Sequence, residues 1–254
     1  MRKFMFVFFL GTWLVSCSKG IVNSKVCPIN QNFDALKGCS ENYDSFEEAP
    51  ETVIYSFLAK SVLLDSKVTM HWYFEEAGNY TLIDSFSYYT KRDKELIVSG
   101  IDRNFLQPGA YVIKTTLKNT EQTFEEEKRF QINLGSKPQI YLLLVGSATN
   151  PSGLVTRPQT YYDSSSPKIF VSSYIYNAKP NSEIKIHFKH AEKGKFNKTF
   201  STKTGANPKS KFLLYAYLPN VNLPLGEYRV EIDLGTDVFK APFFIDATQE
   251  IKPL

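Results

Sequence analysis

The stretch LQPGAYVIKT, residues 106–115, has a counterpart in LPLGEYRVEI, residues 223–232, in which the Gly and the Tyr keep the same spacing. An offset of 116 also places DSKVTMHWY (65–73) over NSEIKIHFK (181–189) and ELIVSGI (95–101) over KFLLYAY (211–217). The similarity ends with KRFQI (128–132) against APFFI (241–245). Self-similarity of this length predicts two domains of one type within the 254 residues.

The hydrophobic pattern in both copies has a period of two. Val68, Met70 and Trp72 alternate with polar or amphipathic residues in the first copy, and Ile186 and Phe188 do so in the second. Such alternation is typical of short antiparallel strands with one buried face. We therefore predict an all-β chain of two tandem β-sandwiches.

Both copies resemble the immunoglobulin-like or fibronectin-like modules of exported bacterial proteins, in which a Gly-x-Tyr turn precedes a hairpin closing on a Phe-x-Ile strand. The resemblance covers residues 48–134 and 136–246, and we predict domain bounds of 48–134 and 135–248. It implies a core aromatic on the third strand and a tyrosine corner before the sixth. The corresponding residues are Trp72 and Phe188 for the core, and Gly109, Tyr111, Gly226 and Tyr228 for the corner. Because this sandwich hosts many unrelated functions, the resemblance predicts a fold and not an activity.

The N-terminus predicts export. Arg2 and Lys3 precede an apolar run of about 12 residues, which is shorter than the roughly 20 that a membrane-spanning helix needs. Residues 14–17, LVSC, resemble the lipobox of bacterial lipoproteins. This resemblance implies that residues 1–16 are a signal peptide and that Cys17 is acylated, and Ser18 in place of Asp implies the outer membrane. An ordinary secretory signal with an incidental Cys17 is the alternative.

The other two cysteines lie in CPINQNFDALKGC (27–39). In an oxidising compartment Cys27 and Cys39 could form a disulfide, and two reduced thiols are the alternative. We predict that residues 17–47 are a lipidated tether that contains this loop. The first copy shows no obvious first strand just before residue 50, so either the disulfide loop region supplies it or that sheet is one strand short.

The two predicted domains carry opposite net charges. Without residues 1–16, 28 basic and 26 acidic side chains remain, yet residues 40–134 carry a net −6 and residues 135–254 a net +6. Lysines are concentrated in residues 185–211, and this segment could attract an anionic envelope polymer, phospholipid headgroups or a sulfated glycan. A solvated, lysine-rich sheet face is the alternative. The candidate binding residues here are Lys185, Lys189, Lys193, Lys195 and Lys198.

A second candidate contact region is the 22-residue segment GSATNPSGLVTRPQTYYDSSSP (146–167), which lacks a clear period. Loops of this length are uncommon unless they are functional or disordered. Because Tyr and Arg are enriched at binding hot spots, the candidates within it are Arg157, Tyr161 and Tyr162. An ordered or mobile surface loop without a partner is the alternative.

Nothing in the sequence indicates catalysis, a cofactor or a metal site. The chain lacks the common nucleophile, phosphate-loop and zinc motifs, and His187 and His190 would lie on opposite faces of a strand. A Ser-His-Asp set assembled from distant residues stays open, because triads are defined by geometry.

Three hypotheses for function follow. We predict a membrane-anchored, non-catalytic interaction module of the bacterial cell envelope that binds an envelope protein or polysaccharide and no nucleic acid. The alternatives are a surface-exposed adhesin for a host molecule or anionic polysaccharide, and an unrecognised hydrolase. The sequence leaves the oligomeric state and the identity of the partner open.

Overall fold

The computed structural model describes residues 19–30, 32–60, 62, 64–220, 222–235 and 237–247. The predicted signal peptide, residues 1–16, and the predicted lipidation site Cys17 lie outside these residues. Within them the chain is almost entirely β-structure, and the one helical element is a short 3-10 turn at Arg103–Phe105. In this part of the chain, no helix is long and apolar enough to cross a membrane.

The first domain, module 1, is a sandwich of a three-stranded sheet, β1-β5-β8, and a five-stranded sheet, β4-β10-β9-β6-β7. A small hairpin, β2-β3, lies between β1 and β4. Its strands are β1 (Gly20–Pro28), β2 (Phe33–Asp34), β3 (Gly38–Cys39), β4 (Ser45–Phe46), β5 (Thr52–Lys60), β6 (Lys67–Glu76), β7 (Asn79–Tyr89), β8 (Lys94–Asp102), β9 (Gly109–Lys118) and β10 (Thr123–Ile132).

The second domain, module 2, repeats this topology with sheets β11-β13-β16 and β12-β18-β17-β14-β15. Its strands are β11 (Gln139–Gly146), β12 (Tyr161–Asp163), β13 (Lys168–Tyr176), β14 (Glu183–His190), β15 (Asn197–Lys203), β16 (Lys211–Pro219), β17 (Gly226–Asp233) and β18 (Val238–Asp246). In both modules the first strand lies in one sheet, and a short strand after it pairs in parallel with the last strand of the other. The chain is a tandem pair of immunoglobulin-like sandwiches, as predicted.

The predicted core and corner residues occupy these roles. Trp72 and Phe188 are fully buried at the centres of their modules. The Tyr111 hydroxyl donates to the carbonyl of Gln107 at 2.7 Å, and the Tyr228 hydroxyl donates to the carbonyl of Pro224 at 2.7 Å. The preceding Gly109 has a φ of 145°, and a Cβ there would lie 2.5 Å from the Phe74 ring, so a residue with a side chain would clash.

The N-terminal boundary predicted for module 1, at residue 48, is wrong. Strand β1 pairs antiparallel with β5 from Gly20 to Pro28, and β4 pairs with β10. Strands β1 (Gly20–Pro28) and β4 (Ser45–Phe46) therefore belong to the sandwich and not to a tether. The sequence obscured β1 because Asn23, with a φ of 55°, forms a bulge that breaks the alternation of the strand.

The predicted disulfide is present between Cys27 and Cys39, whose Cα atoms lie 5.8 Å apart. It ties the β2-β3 hairpin to the end of β1. Strand β1 is the first strand of module 1, whose position the sequence left open. Beside it, the Cys39 amide donates to the buried Ser56 hydroxyl at 2.9 Å. Residues 29–30 and 32–44, which we call flap 1, thus fold over the outer face of the β1-β5-β8 sheet.

The alignment that the sequence predicts between strand β8 of module 1 and strand β16 of module 2 is wrong by one residue. Ser56 and Ser172 are 116 positions apart and equivalent, but Ser56 pairs with Val98 whereas Ser172 pairs with Tyr215. The offset on this strand is therefore 117, and residues 95–101 match 212–218. Because a shift of one residue moves every side chain to the opposite face, Tyr215 and Tyr217 lie on the outer surface instead of in the core.

The two modules are joined by a short, packed junction. The Leu142 amide donates to the carbonyl of Leu106 in module 1 at 3.1 Å. Tyr141 and Tyr176 from module 2 pack into the hydrophobic core of module 1. These contacts restrict the motion of one module relative to the other.

Candidate functional site

The long segment predicted as a contact loop is ordered and packs back onto module 2. Residues 147–160, which we call flap 2, connect β11 to β12 as flap 1 connects β1 to β4. Val155 is buried, and its amide donates to the hydroxyl of Ser172 at 2.9 Å. Ser172 is the equivalent of Ser56, so one buried serine anchors the flap in each module.

The three predicted contact residues of this segment have different environments. Arg157 is exposed, and Tyr161 is 66% exposed with its ring stacked on Phe244 at 5.1 Å between centroids. Tyr162 is only 2% exposed, and its hydroxyl donates to the carbonyl of Gln159. The prediction that Tyr162 contacts a partner is therefore wrong, since strand β12 turns alternate side chains inward. Binding by Arg157 and Tyr161 stays a prediction.

The five candidate lysines do not share one face. Lys185 and Lys189 lie on the outer face of the five-stranded sheet, Lys193 and Lys195 lie in the β14–β15 turn, and Lys198 points to the opposite side of β15. Three of them have carboxylate partners: Lys185 with Glu183 at 3.3 Å, Lys189 with Glu231 at 2.5 Å, and Lys195 with Glu192 at 2.7 Å. A single lysine surface is thus not formed by these residues.

Glu231 organises the outer face of the five-stranded sheet of module 2. Its side chain is 8% exposed and faces three cations, Lys189, Arg229 at 2.8 Å and Lys240 at 3.7 Å. Burial disfavours its charged form, but the hydrogen bond from Lys189 and the neighbouring cations outweigh burial and hold the pKa of Glu231 below its usual range. Module 1 has the reversed cross-strand pair at the equivalent place, Lys114 with Glu127 at 3.8 Å. Sequence reasoning missed this pair because only the strand register brings its members together.

The most prominent concavity of module 2 is a groove of about 490 Å³ between strands β15 and β16. We call it the lateral groove, because it opens on the side of the sandwich where each sheet ends in an unpaired edge strand. Its floor is apolar, and its rims carry Lys198 on β15 and two exposed tyrosines on β16. The residues that form it include Ile186, Phe200, Leu214, Ala216, Tyr215, Tyr217 and Lys198.

In module 1 the same side is closed by two hydrogen bonds between the sheets. The Tyr88 hydroxyl donates to the Glu95 carboxylate at 2.8 Å, and the Trp72 indole N–H donates to the Ser99 hydroxyl at 3.1 Å. By strand pairing, the equivalents in module 2 are Thr202 and Phe212 for the first bond, and Phe188 and Ala216 for the second. Neither pair can form such a bond. Thr202 and Ala216 line the groove and are smaller than Tyr88 and Ser99, so they leave the space that becomes the lateral groove.

The surroundings of the groove are basic and aromatic. Residues 193–226 contain six lysines and no Asp or Glu. Tyr215 and Tyr217 are 60% and 46% exposed, and the Lys168 ammonium lies 4.7 Å from the centroid of the Tyr217 ring. On the other rim, the Lys198 ammonium lies 5.0 Å from the centroid of Phe200. Such cation–π contacts hold the ammonium groups beside the aromatic surface.

The two tyrosines were not among the sequence-based candidates. The predicted offset of 116 aligned them with Ser99 and Ile101, both of which are buried in module 1. The alternation in FLLYAYL (212–218) was the available signal, but it fits either face until the register is known. Among the described residues, no group of three or more His, Cys, Asp or Glu side chains could hold a metal ion.

Comparisons with known proteins add little to this description. No protein-family model and no curated protein matches the sequence. Solved structures with some similarity include a tetra-tandem repeat from the extending region of a large adhesion protein, at 14% identity and a TM-score of 0.30, covering 87% of this chain and 47% of that one. The chain therefore spans about half the length of that structure.

A red sea bream transglutaminase matches at 7% identity and a TM-score of 0.30, with 81% of this chain and 30% of that chain covered. A tandem pair of titin immunoglobulin domains matches at 12% identity and a TM-score of 0.24, with 81% and 93% covered. Because these scores are low, the fold assignment rests on the strand order and pairing of the chain itself.

Proposed function

We propose that this chain is a lipid-anchored, non-catalytic binding protein of the bacterial cell envelope, and that the lateral groove of module 2 is its contact site. The observation that carries the proposal is the difference between the modules. They share one topology, yet side-chain hydrogen bonds close the lateral side of module 1, whereas module 2 exposes an apolar floor there. An exposed apolar concavity with polar rims is typical of interaction sites.

The junction between the modules supports different roles for module 1 and module 2. Leu142 bonds to Leu106, and Tyr141 packs into the module 1 core, so the modules are held in a set orientation. Module 1, with flap 1 closed by the disulfide, would then serve as a spacer between the membrane anchor and module 2. The lipobox-like residues 14–17 support an anchor at Cys17.

A photo-crosslinking residue placed at position 217 tests the contact site in living cells. Tyr217 lies on the rim of the lateral groove, and Tyr89, an exposed tyrosine on edge strand β7 of module 1, is the matched control position. We expect a discrete crosslinked product from position 217 and none from position 89. Equal labelling from both positions, or none from 217, would contradict the proposed site.

The anchor is tested separately by labelling cells with radioactive palmitate. We expect the label in the wild-type protein, and we expect Cys17→Ser to lose it and to shift the protein from the membrane to the soluble envelope fraction. The variant pair Cys27→Ser and Cys39→Ser should keep the label, because those sulfurs form the disulfide.

Protease treatment of intact and permeabilised cells distinguishes an inward-facing module from a surface adhesin. We propose the envelope interior, so degradation should require permeabilisation. Degradation in intact cells would instead favour the adhesin, whose exposed tyrosines and lysines would meet a host molecule or an anionic polysaccharide.

A further inference from the structure

We infer that the lateral groove binds an extended acidic peptide segment of a partner protein, which adds to the free edge of β16 as a fourth strand of the β11-β13-β16 sheet. This inference rests on the proposed function and names the class of ligand for the same site.

The first argument is that the edge of β16 adjoins open space between the sheets, whereas the space beside its counterpart in module 1 is filled. Strand β16 pairs with β13 along all nine of its residues, and its other side has no strand partner in the part of the chain that the structure describes. The equivalent strand in module 1, β8, is also an edge strand, but the space between the sheets beside it is occupied by the Tyr88 side chain bonded to Glu95 and by the Trp72 indole bonded to Ser99. Unpaired N–H and C=O groups on such an edge are a template for another strand.

The second argument is the shape of the groove. The inward side of β16 alternates Leu214, Ala216 and Leu218, and the small Ala216 in the middle leaves room between the two sheets. Every second side chain of an added strand would point into this space, over Phe200 and Ile186 from the opposite sheet. A segment with alternating apolar residues such as Val or Ile therefore fits the floor.

The third argument is charge. Residues 193–226 contain six lysines and no Asp or Glu, although Lys195 pairs with Glu192 just before this segment, and Lys198 stands on the rim opposite β16. The other residues of an added strand point away from the floor, toward the outer face of the sheet, where Lys168 lies 4.7 Å from the centroid of Tyr217 and Lys211 lies 4.1 Å from the centroid of Tyr174. Carboxylates at those positions would be attracted, and lysines would be repelled. A second copy of this chain pairing through the same edge would bring lysines against lysines, so the occupant is a different, acidic segment.

The test uses the full-length mature protein in detergent and a nine-residue peptide that alternates Glu with Val, with both ends blocked. We expect saturable binding by calorimetry, weakened at least tenfold when Lys replaces Glu. N-methylation of alternate amides on the edge that faces β16 should weaken it to a similar extent, because it removes the backbone hydrogen bonds. Equal affinity of the N-methylated peptide would overturn strand addition.

The matched variant transfers the module 1 closure to module 2. Thr202→Tyr with Phe212→Glu restores the pair that Tyr88 and Glu95 form, and we expect peptide binding to fall at least tenfold. Asn197→Tyr, on the same strand but on the outer face, should bind as the wild type does. If the double variant does not fold, Ala216→Leu fills the floor with one smaller change and should give the same loss. Unchanged affinity for the peptide in a folded groove-filling variant would contradict the inference.

A polyuronate oligosaccharide serves as the competing anionic probe, since it carries carboxylates but no peptide backbone. Binding of the oligosaccharide without binding of the peptide would overturn the inference in favour of a glycan. Crosslinking from position 217 in cells, combined with no peptide binding, would leave the proposed binding function standing and remove only strand addition. Failure of both experiments would remove the proposed function as well.

Discussion

Arg103 of module 1 and Asp237 of module 2 form an ion pair across the junction, with the guanidinium Nη2 3.2 Å from the carboxylate Oδ2. The same carboxylate oxygen accepts the amide of Ile140 at 3.2 Å, and the guanidinium lies 4.6 Å from the centroid of the Phe239 ring. One acidic side chain therefore holds both the turn after β8 and the start of β11. The relative orientation of the modules depends on this contact and on the packing of Tyr141.

Replacing Asp237 by Ala should loosen the junction. The variant loses a charge-assisted hydrogen bond and an ion pair, so we expect a loss of about 1–2 kcal/mol in the free energy of unfolding. Small-angle scattering should show a larger radius of gyration, and hydrogen exchange at the Leu142 amide should accelerate. Glu183→Ala, which removes the exposed pair with Lys185, is the control. It should change neither the radius of gyration nor the hydrogen exchange of the Leu142 amide.

The tyrosine corners should each stabilise their own module. Tyr228→Phe removes one hydrogen bond, to Pro224, and should cost about 1 kcal/mol. Tyr111→Phe should cost more, because the Tyr111 oxygen also accepts the amide of Gln107 at 2.7 Å. Chemical denaturation measures both, with Tyr217→Phe on the surface as the control. An equal or smaller effect at Tyr111 would contradict this order.

Glu231 should make the stability of module 2 depend on pH. Its pKa is lowered in the folded state, so its contribution is present above the unfolded pKa of about 4.3 and is lost as pH falls through the lower folded value. Glu231→Gln should lose about 1–3 kcal/mol at pH 7, because three cations lose their carboxylate. It should also have a shallower loss of stability between about pH 5 and pH 3.

Urea denaturation across that pH range is the measurement. Glu183→Gln, an exposed carboxylate of the same sheet, is the control and should retain the wild-type slope. Parallel pH profiles of Glu231→Gln and the wild type would show that Glu231 is not the titrating group.

The Cys27–Cys39 disulfide should stabilise module 1. It closes a loop of about 13 residues, so Cys27→Ser with Cys39→Ser should cost about 3 kcal/mol. Trp72 reports this change directly, since the other tryptophan, Trp13, belongs to the predicted signal peptide. Its fluorescence transition should move to lower denaturant. The same transition in both proteins would mean that flap 1 adds no stability to the sandwich.

Much of the architecture could be predicted from local patterns. The alternation around Trp72 and Phe188 and the spacing of the Gly-x-Tyr turns depend on neighbouring residues, and each indicates a strand or a corner without long-range information. The tandem repeat, the all-β class and the disulfide followed from such patterns. Strand β1 did not, because the bulge at Asn23 interrupts its period.

The candidate site depended on contacts that no local pattern contains. Whether Tyr215 faces solvent or core changes with a shift of one residue in the pairing of β16, and that shift is set by β13 across the sheet. The lateral groove lies where Thr202 and Ala216 occupy the positions that Tyr88 and Ser99 occupy in module 1. The sequence by itself determined two sandwiches of one kind, since alternation and turn chemistry are local. Only the tertiary structure decided which of them is open, since closure is a property of side chains brought together from separate strands.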